Sequence, residues 1–249
     1  MAIIIKSKRQ IEGIRESSKL AAGTLDYISE HVEEGVSTEY LDDLIHKYIT
    51  ENGAVPAPLG YHGFPKSSCI SLNDVICHGI PSKQTILKHG DILNIDVTTI
   101  VDGYFGDTSR MFTIGEVSAE AQKLIQVAKE CLILGIEQVA PKKRFGNIGF
   151  VIAKHAKAHG FSVVHQFCGH GVGVKFHEEP QVHHISPKKS GDRMKPGMIF
   201  TIEPMINCGK AEATIDEQDE WTARTVDNQL SAQYEHTLLV TDSGVEVLT

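Results

Sequence analysis

The chain of 249 residues reads as a mixed fold, α/β or α+β, and three observations predict it. Two amphipathic helical stretches open the sequence, and a long strand–turn–strand segment follows them. Two further helical stretches then precede a tail of short strand patterns. Helices and strands alternate in both halves, which excludes an all-α protein.

Each element has its own signal. Residues 7 to 31 carry Ile11, Ile14, Leu20, Leu25 and Ile28 at helical spacing. A second helix is predicted from near Thr38 to Gly53, with Leu41, Leu44, Ile45 and Tyr48 turned inward. Pro56, Pro58, Gly60, Gly63 and Pro65 then make an irregular loop that ends at the strand-like Cys69-Ile70-Ser71-Leu72. From Ile92 to Val101 and from Tyr104 to Ile114 the pattern is two strands, joined by Asp102-Gly103. Asp-Gly between two such runs signals a tight hairpin, because both turn positions want positive φ. Helices are predicted at 118–139 and 145–159, and strands at 199–208, 232–241 and 244–248.

Composition narrows the functional classes. A net charge of -8 argues against a general nucleic-acid binder, and no stable DNA binding is expected. No stretch approaches the roughly 20 apolar residues of a membrane span. The apolar run Ile3-Ile4-Ile5 is too short for a signal-peptide core. Five scattered cysteines with no C-x-x-C pair fit a reducing compartment, so a cytoplasmic location is expected.

A faint internal repeat runs through the chain. Residues 87–96, LKHGDILNID, align without gaps to 194–203, MKPGMIFTIE. Each is a turn, an apolar strand and then a carboxylate, Asp96 in one and Glu203 in the other. Upstream of each stands His-x-x-Pro, at His78 to Pro81 and His177 to Pro180. The pairing predicts one domain over 1–249, made of two pseudo-symmetric halves of about 1–120 and 121–249.

The carboxylates in these strands carry the chemistry. With a two-residue turn at Asp102-Gly103, Asp107 faces Thr98, two residues from Asp96. Period-two alternation then puts Asp96 and Asp107 on one face, with Cα atoms about 7–8 Å apart. Glu203 follows Ile199-Phe200-Thr201-Ile202 and Glu235 precedes Thr237-Leu238-Leu239-Val240, so both also sit in apolar surroundings. Four buried acids need a cation. His170, in Gly169-His170-Gly171-Val172-Gly173, adds an imidazole where glycines allow close backbone approach. Four carboxylates balance two divalent ions, and the oxygen-rich set with one imidazole suits Co, Mn, Fe or Zn. Paired ions can hold a bridging water or hydroxide and polarise a carbonyl, which is machinery for hydrolysis.

At this point the chain resembles the methionine aminopeptidases of the bacterial type I form, in the M24 peptidases. The resemblance rests on Gly60-Tyr61-His62-Gly63-Phe64-Pro65, Cys77-His78-Gly79-Ile80-Pro81, Asp96-Val97-Thr98, Gly106-Asp107-Thr108-Ser109 and Gly169-His170-Gly171-Val172-Gly173. It continues in Phe176-His177-Glu178-Glu179-Pro180, Thr201-Ile202-Glu203-Pro204 and 231–237, SAQYEHT. It implies a pseudo-two-fold "pita-bread" α+β fold, an antiparallel sheet covered by helices on its outer face. It also implies removal of the initiator methionine of nascent chains when the next residue is small. By the same resemblance Asp96 holds one metal ion, His170 and Glu203 mainly the other, and Asp107 and Glu235 bridge. His78 matches the histidine that contacts the scissile amide, and His177 the one that hydrogen-bonds the substrate carbonyl. Glu203 matches the proton-transfer carboxylate, while Asp96 helps to bind the substrate amine. Tyr61, His62, Phe64, Cys69, Phe176 and Trp221 fall on the methionine pocket. Asn73, Val75 and Ser231 fall on a monovalent-cation site for Na or K.

The family expectation is also a monomer. Two positions depart from it: Pro58 stands where many bacterial members have Cys, and Phe64 where many have Tyr. Neither removes a ligand, so activity is expected to survive. A zinc-binding N-terminal extension and the long insertion of type II enzymes are not seen. Two other readings compete. A proline-specific aminopeptidase of the same fold would carry Arg-x-Glu-Asp near the last ligand, where this chain has Tyr234-Glu235-His236-Thr237. A catalytically inactive binding protein would have lost ligands, and all five are present. Finally, Lys188, Lys189, Arg193 and Lys195 make a basic patch in the segment 184–195, suited to transient contact with ribosomal RNA or, more plainly, to solvent.

Overall fold

The computed structural model describes residues 2–249. In chain order the first elements are α1 (Lys8–Ser29), α2 (Thr38–Glu51), β1 (Val55–Pro56), β2 (Cys69–Leu72), β3 (Val75–Cys77), β4 (Ile92–Val101) and β5 (Tyr104–Thr113). There follow α3 (Ala119–Ile136), α4 (Gly146–Ala158), β6 (Ser162–Val163), β7 (Gly169–Gly171), β8 (Glu178–Val182), β9 (Ile199–Ile202) and β10 (Met205–Asn207). The last are β11 (Ala213–Ile215), β12 (Ala223–Thr225), β13 (Ser231–Gln233), β14 (His236–Val240) and β15 (Val245–Val247).

Helix starts follow their caps. Ser7 accepts from the Gln10 amide, and the Gln10 side chain accepts from the Ser7 amide, which closes a capping box. Ser37 and Ser118 cap α2 and α3 by the serine oxygen alone, accepting from the Tyr40 and Ala121 amides. The buried stripe of α1 is Ile14, Ala21, Leu25 and Ile28, with Ile11 and Leu20 only half-buried beside it.

Among the described residues every strand pairing is antiparallel, and the strands divide into four sheets rather than one. One joins β4 to β1, β2 and β5; another runs β15-β14-β9-β7-β8. The hairpin register matches the sequence expectation, with Val101 opposite Tyr104 and Thr98 opposite Asp107. Asp102 and Gly103 both take positive φ, 49° and 81°, as a tight two-residue turn requires.

Two expected strands are broken. The stretch 199–208 splits into β9 and β10 at Glu203-Pro204, where proline has no N–H for the ladder. The stretch 232–241 splits into β13 and β14 around Tyr234-Glu235. There Glu235 leaves the local ladder and exchanges backbone hydrogen bonds with Ser109, bridging to β5. Both breaks fall at carboxylates that face the centre.

Alternation along β4 and β9 sorts core from site. Leu93, Ile95 and Val97 pack with Leu25, Ile45 and Ile49 beneath α1 and α2. Asn94, Asp96 and Thr98 therefore point the other way. Phe200 and Ile202 pack with Leu124, Ile148 and Ile152 beneath α3 and α4, which leaves Thr201 and Glu203 facing inward. Helices lie on the outer faces, and polar residues meet between the sheets.

Candidate metal centre

The strands deliver five ligand-type side chains to one cavity of about 450 Å³, whose wall includes Asp96, Asp107, His170, Glu203 and Glu235. Nε2 of His170 lies 3.6 Å from both Asp107 Oδ2 and Glu203 Oε1. Ligand atoms of Asp107, His170 and Glu235 fall within 4.8 Å of one another. Asp96 stands on the same face as Asp107, diagonally across the hairpin.

Neighbouring hydroxyls and amides hold these groups in place. Thr98 Oγ1 donates to Asp107 Oδ1 at 2.7 Å, and Thr201 Oγ1 donates to Glu203 Oε1 at 2.7 Å. Gln233 Nε2 reaches the other Glu203 oxygen at 3.2 Å. The Glu203 amide donates to Nε2 of the buried His184 at 3.1 Å. His170 Nδ1 sits 3.0 Å from the Gly171 carbonyl, a contact that places its proton on Nδ1 and leaves the Nε2 lone pair turned into the cavity. The flanking glycines permit this position. A Cβ on Gly169 would stand 2.4 Å from the Thr201 carbonyl oxygen, and one on Gly171 would stand 2.2 Å from that of Glu179.

The electrostatics fit a cation. Burial raises Glu203 to about 8, helped by Asp107, and raises Asp107 to about 7. Burial and neighbouring carboxylates push Asp96 and Glu235 well above the carboxylate range. Among the described residues no lysine or arginine forms an ion pair with any of the four acids. His170 supplies no charge, since burial lowers it to about 4. Four converging acids without a cationic side chain are the donor set of divalent metal ions, and the residues fit that group.

The residues expected to bind the substrate line the same cavity, with His62 the exception. Tyr61, Phe64, Cys69, His78, Phe176, His177 and Trp221 are all on its wall. Phe64 meets Trp221 edge-on at 5.2 Å, and Trp221 meets His78 at 6.0 Å. Burial lowers His78 to about 4. His177 has an exposed edge, and its Nδ1 pairs with the Tyr61 hydroxyl at 2.9 Å. Desolvation against the wall and neighbouring His170 and His78 hold it below the usual imidazole range. His62 does not reach the wall: it sits exposed on a short turn and packs on the Tyr61 ring at 4.4 Å.

Asn73, Val75 and Ser231 come together around β3 and β13. The Ser231 amide donates to the Asn73 carbonyl at 2.8 Å, Val75 is buried, and the buried Ser231 hydroxyl has no partner.

Several wall and support residues escaped the sequence reading. Thr201 and Gln233 had no signal of their own, although Thr201 stands two residues before Glu203, on the same strand face. Gln166, Phe167 and Met205 also line the cavity, as does Glu178. Glu178 is paired with Lys6, a buried lysine from the N-terminal segment.

The chain is similar to known proteins along almost its whole length. The model of metallopeptidase family M24 matches residues 12–242. Methionine aminopeptidase A of Synechocystis sp. is 52% identical over 99% of this chain and 97% of its own length. Methionine aminopeptidase of Escherichia coli is 51% identical over 100% of this chain and 94% of its own. The crystal structure of methionine aminopeptidase from Rickettsia prowazekii superposes with a TM-score of 0.98 at 47% identity, covering 100% of both chains.

Proposed function

Because the chain belongs to metallopeptidase family M24, with the pita-bread fold of its relatives, we propose that its cavity removes the initiator methionine from new polypeptides. One observation carries the reading: three buried acids, the half-buried Asp96 and His170 converge in one cavity beside an aromatic wall. The chain is a metal-dependent aminopeptidase.

Asp96, Asp107, His170, Glu203 and Glu235 would hold the divalent ions, two by charge balance. When bound, the ions supply Lewis acidity to a carbonyl and a water nucleophile active near neutral pH. The chain's own residues do the rest. Tyr61, Phe64, Cys69, Phe176 and Trp221 take the methionine side chain, through dispersion and sulfur–aromatic contact. Asp96 binds the free amine. His78 and His177, both neutral, are placed to hydrogen-bond the scissile amide and its carbonyl. Glu203, held by Thr201 and Gln233, takes the proton of the attacking water and passes it to the leaving amine as the C–N bond breaks. The preference for a small second residue follows from the family pattern at these positions.

Further parts of the reading rest on lesser support. Co, Mn, Fe and Zn all suit the ligand set. The unpartnered Ser231 hydroxyl and the Asn73 backbone support a Na or K site that includes Val75. Free thiols at all five cysteines support a cytoplasmic location. We read the chain as a monomer of two halves, about 1–120 and 121–249. Lys188, Lys189 and Arg193 are exposed and support transient ribosome contact, whereas His184 of that segment is buried behind Glu203.

Turnover of Met-Ala-Ser across a metal series, for the unaltered chain and for Asp107→Ala and His170→Ala, tests the assignment. Metal-dependent release of methionine that both variants abolish is expected. Cleavage of Xaa-Pro peptides alone would replace this reading with a proline-specific one.

A further inference from the structure

A second cluster of metal-type ligands lies outside the cavity, on the outer helical layer. Glu130 projects from α3, His155 from the last turn of α4, and His159 caps that helix. Each is half-buried. The spacing His155-Ala156-Lys157-Ala158-His159 puts two imidazoles one turn apart on one helix face. Their rings are 4.4 Å apart, and the facing carboxylate Oε2 of Glu130 sits 2.7 Å from His155 Nε2. One ligand atom from each of the three lies within 4.8 Å of the others.

The surroundings prepare these atoms. His159 Nδ1 is 3.0 Å from the His155 carbonyl, so its proton belongs on Nδ1 and its Nε2 lone pair is free. A ring N–H donated to a backbone carbonyl is the usual outer support of a metal-binding imidazole. Gln126 Nε2 donates to Glu130 Oε1 at 2.8 Å, which orients the carboxylate and leaves Oε2 for the histidines. Lys123 touches the cluster only at the His159 backbone. Its Nζ donates to the His159 carbonyl at 2.9 Å and lies over the Phe161 ring. Beneath the cluster, Val127, Ala128 and Cys131 of α3 pack with Ile152 and Ala156 of α4, so the two helices are already held at this spacing.

We propose that Glu130, His155 and His159 form a peripheral site for one divalent transition ion of borderline softness, such as zinc, that clips α3 to α4. Two imidazoles and one carboxylate are the donor set such ions take, with water completing the coordination. Binding requires only that the His155 proton move from Nε2 to Nδ1, which exchanges its hydrogen bond to Glu130 for a shared ion. No redox step is involved. The site is separate from the cavity, and neither reading depends on the other.

Zinc is the probe. The full chain and its His159→Gln and Glu130→Gln variants are dialysed against excess zinc, above the imidazole pKa of about 6.5. Metal content is then measured, with circular dichroism as the folding control. The unaltered chain is expected to retain one zinc more than either variant, whatever the cavity binds. In parallel, the unaltered chain is carbethoxylated with and without zinc, and the modified histidines are mapped by peptide mass spectrometry. Zinc is expected to protect His155 and His159 strongly. Because this second arm uses no variant, misfolding cannot obscure it. Equal zinc content together with equal labelling would overturn the site and leave the cluster as a hydrogen-bonded pair.

Discussion

Thr98 and Asp107 face each other across the β4–β5 hairpin, and the threonine hydroxyl donates to the aspartate at 2.7 Å. This bond fixes one oxygen of Asp107 and turns the other towards His170, 3.6 Å away. Thr98→Val keeps the buried shape and the strand propensity but removes the donor. Loss of such a supporting bond costs about 10–100-fold in metal affinity or activity. The metal concentration for half-maximal turnover should rise by that factor, and saturating metal should restore most of the rate. An unchanged metal titration would show that Asp107 is oriented by other contacts.

Much of this relationship is legible in the sequence, because it depends on local rules. Asp102-Gly103 sets the turn, the turn sets the register, and period-two alternation sends Asp96 inward and Ile95 outward. What lies beyond local reach is harder to see. The break at Pro204 has a chemical signature, but the break at Glu235 exists because Ser109 pairs with it from a distant strand. Lys6 meets Glu178 from 172 residues away, and no pattern in either segment announces the pair. His184 sits within a basic, loop-like stretch, yet packs behind Glu203. His62 shares a motif with Tyr61 and Phe64 but has a left-handed backbone, φ 47°, and stays outside the wall.

The buried acids predict how metal-free protein responds to pH. Unfolded Asp and Glu titrate near about 4. In the fold, Asp107 sits at about 7 and Glu203 at about 8, with Asp96 and Glu235 also raised. Raised carboxylates contribute stability that is present at low pH and lost as pH climbs through the folded values. Buried His78 and His170, lowered to about 4, act oppositely, but their effect is complete above about pH 6.5. Between about pH 6.5 and 8 the acids alone should control the slope. Chelated protein should lose Tm across this window, and protein with excess manganese should not, since bound cations favour the ionised ligands. A flat melting curve for the chelated protein would contradict the charge assignment.

The aromatic wall should act on binding more than on chemistry. Trp221 meets Phe64 edge-on at 5.2 Å and is held by a hydrogen bond from its amide to Asp219 at 2.8 Å. Trp221→Leu removes aromatic contact worth about 0.5–1.5 kcal/mol while keeping an apolar surface. KM for Met-Ala-Ser should rise up to about tenfold with kcat little changed. A fall in kcat at constant KM would mean that Trp221 instead positions His78, 6.0 Å away.

Gly171 tests how closely the backbone must approach to present His170. A Cβ there would lie 2.2 Å from the carbonyl oxygen of Glu179 and 2.9 Å from that of Glu178, both backbone atoms of the adjoining β8. Neither can retreat without moving the cavity wall, because Glu178 is tied to buried Lys6. Gly171→Ala should therefore destabilise the chain by about 1–3 kcal/mol, the usual cost of overpacking. The same shift moves the carbonyl that holds Nδ1 of His170, so metal affinity should fall together with the denaturation midpoint. Gly244→Ala is the control, since its added Cβ meets nothing within 4 Å. Equal midpoints for the two variants would show that β7 and β8 can separate freely, and that the glycines around His170 are not needed for its placement.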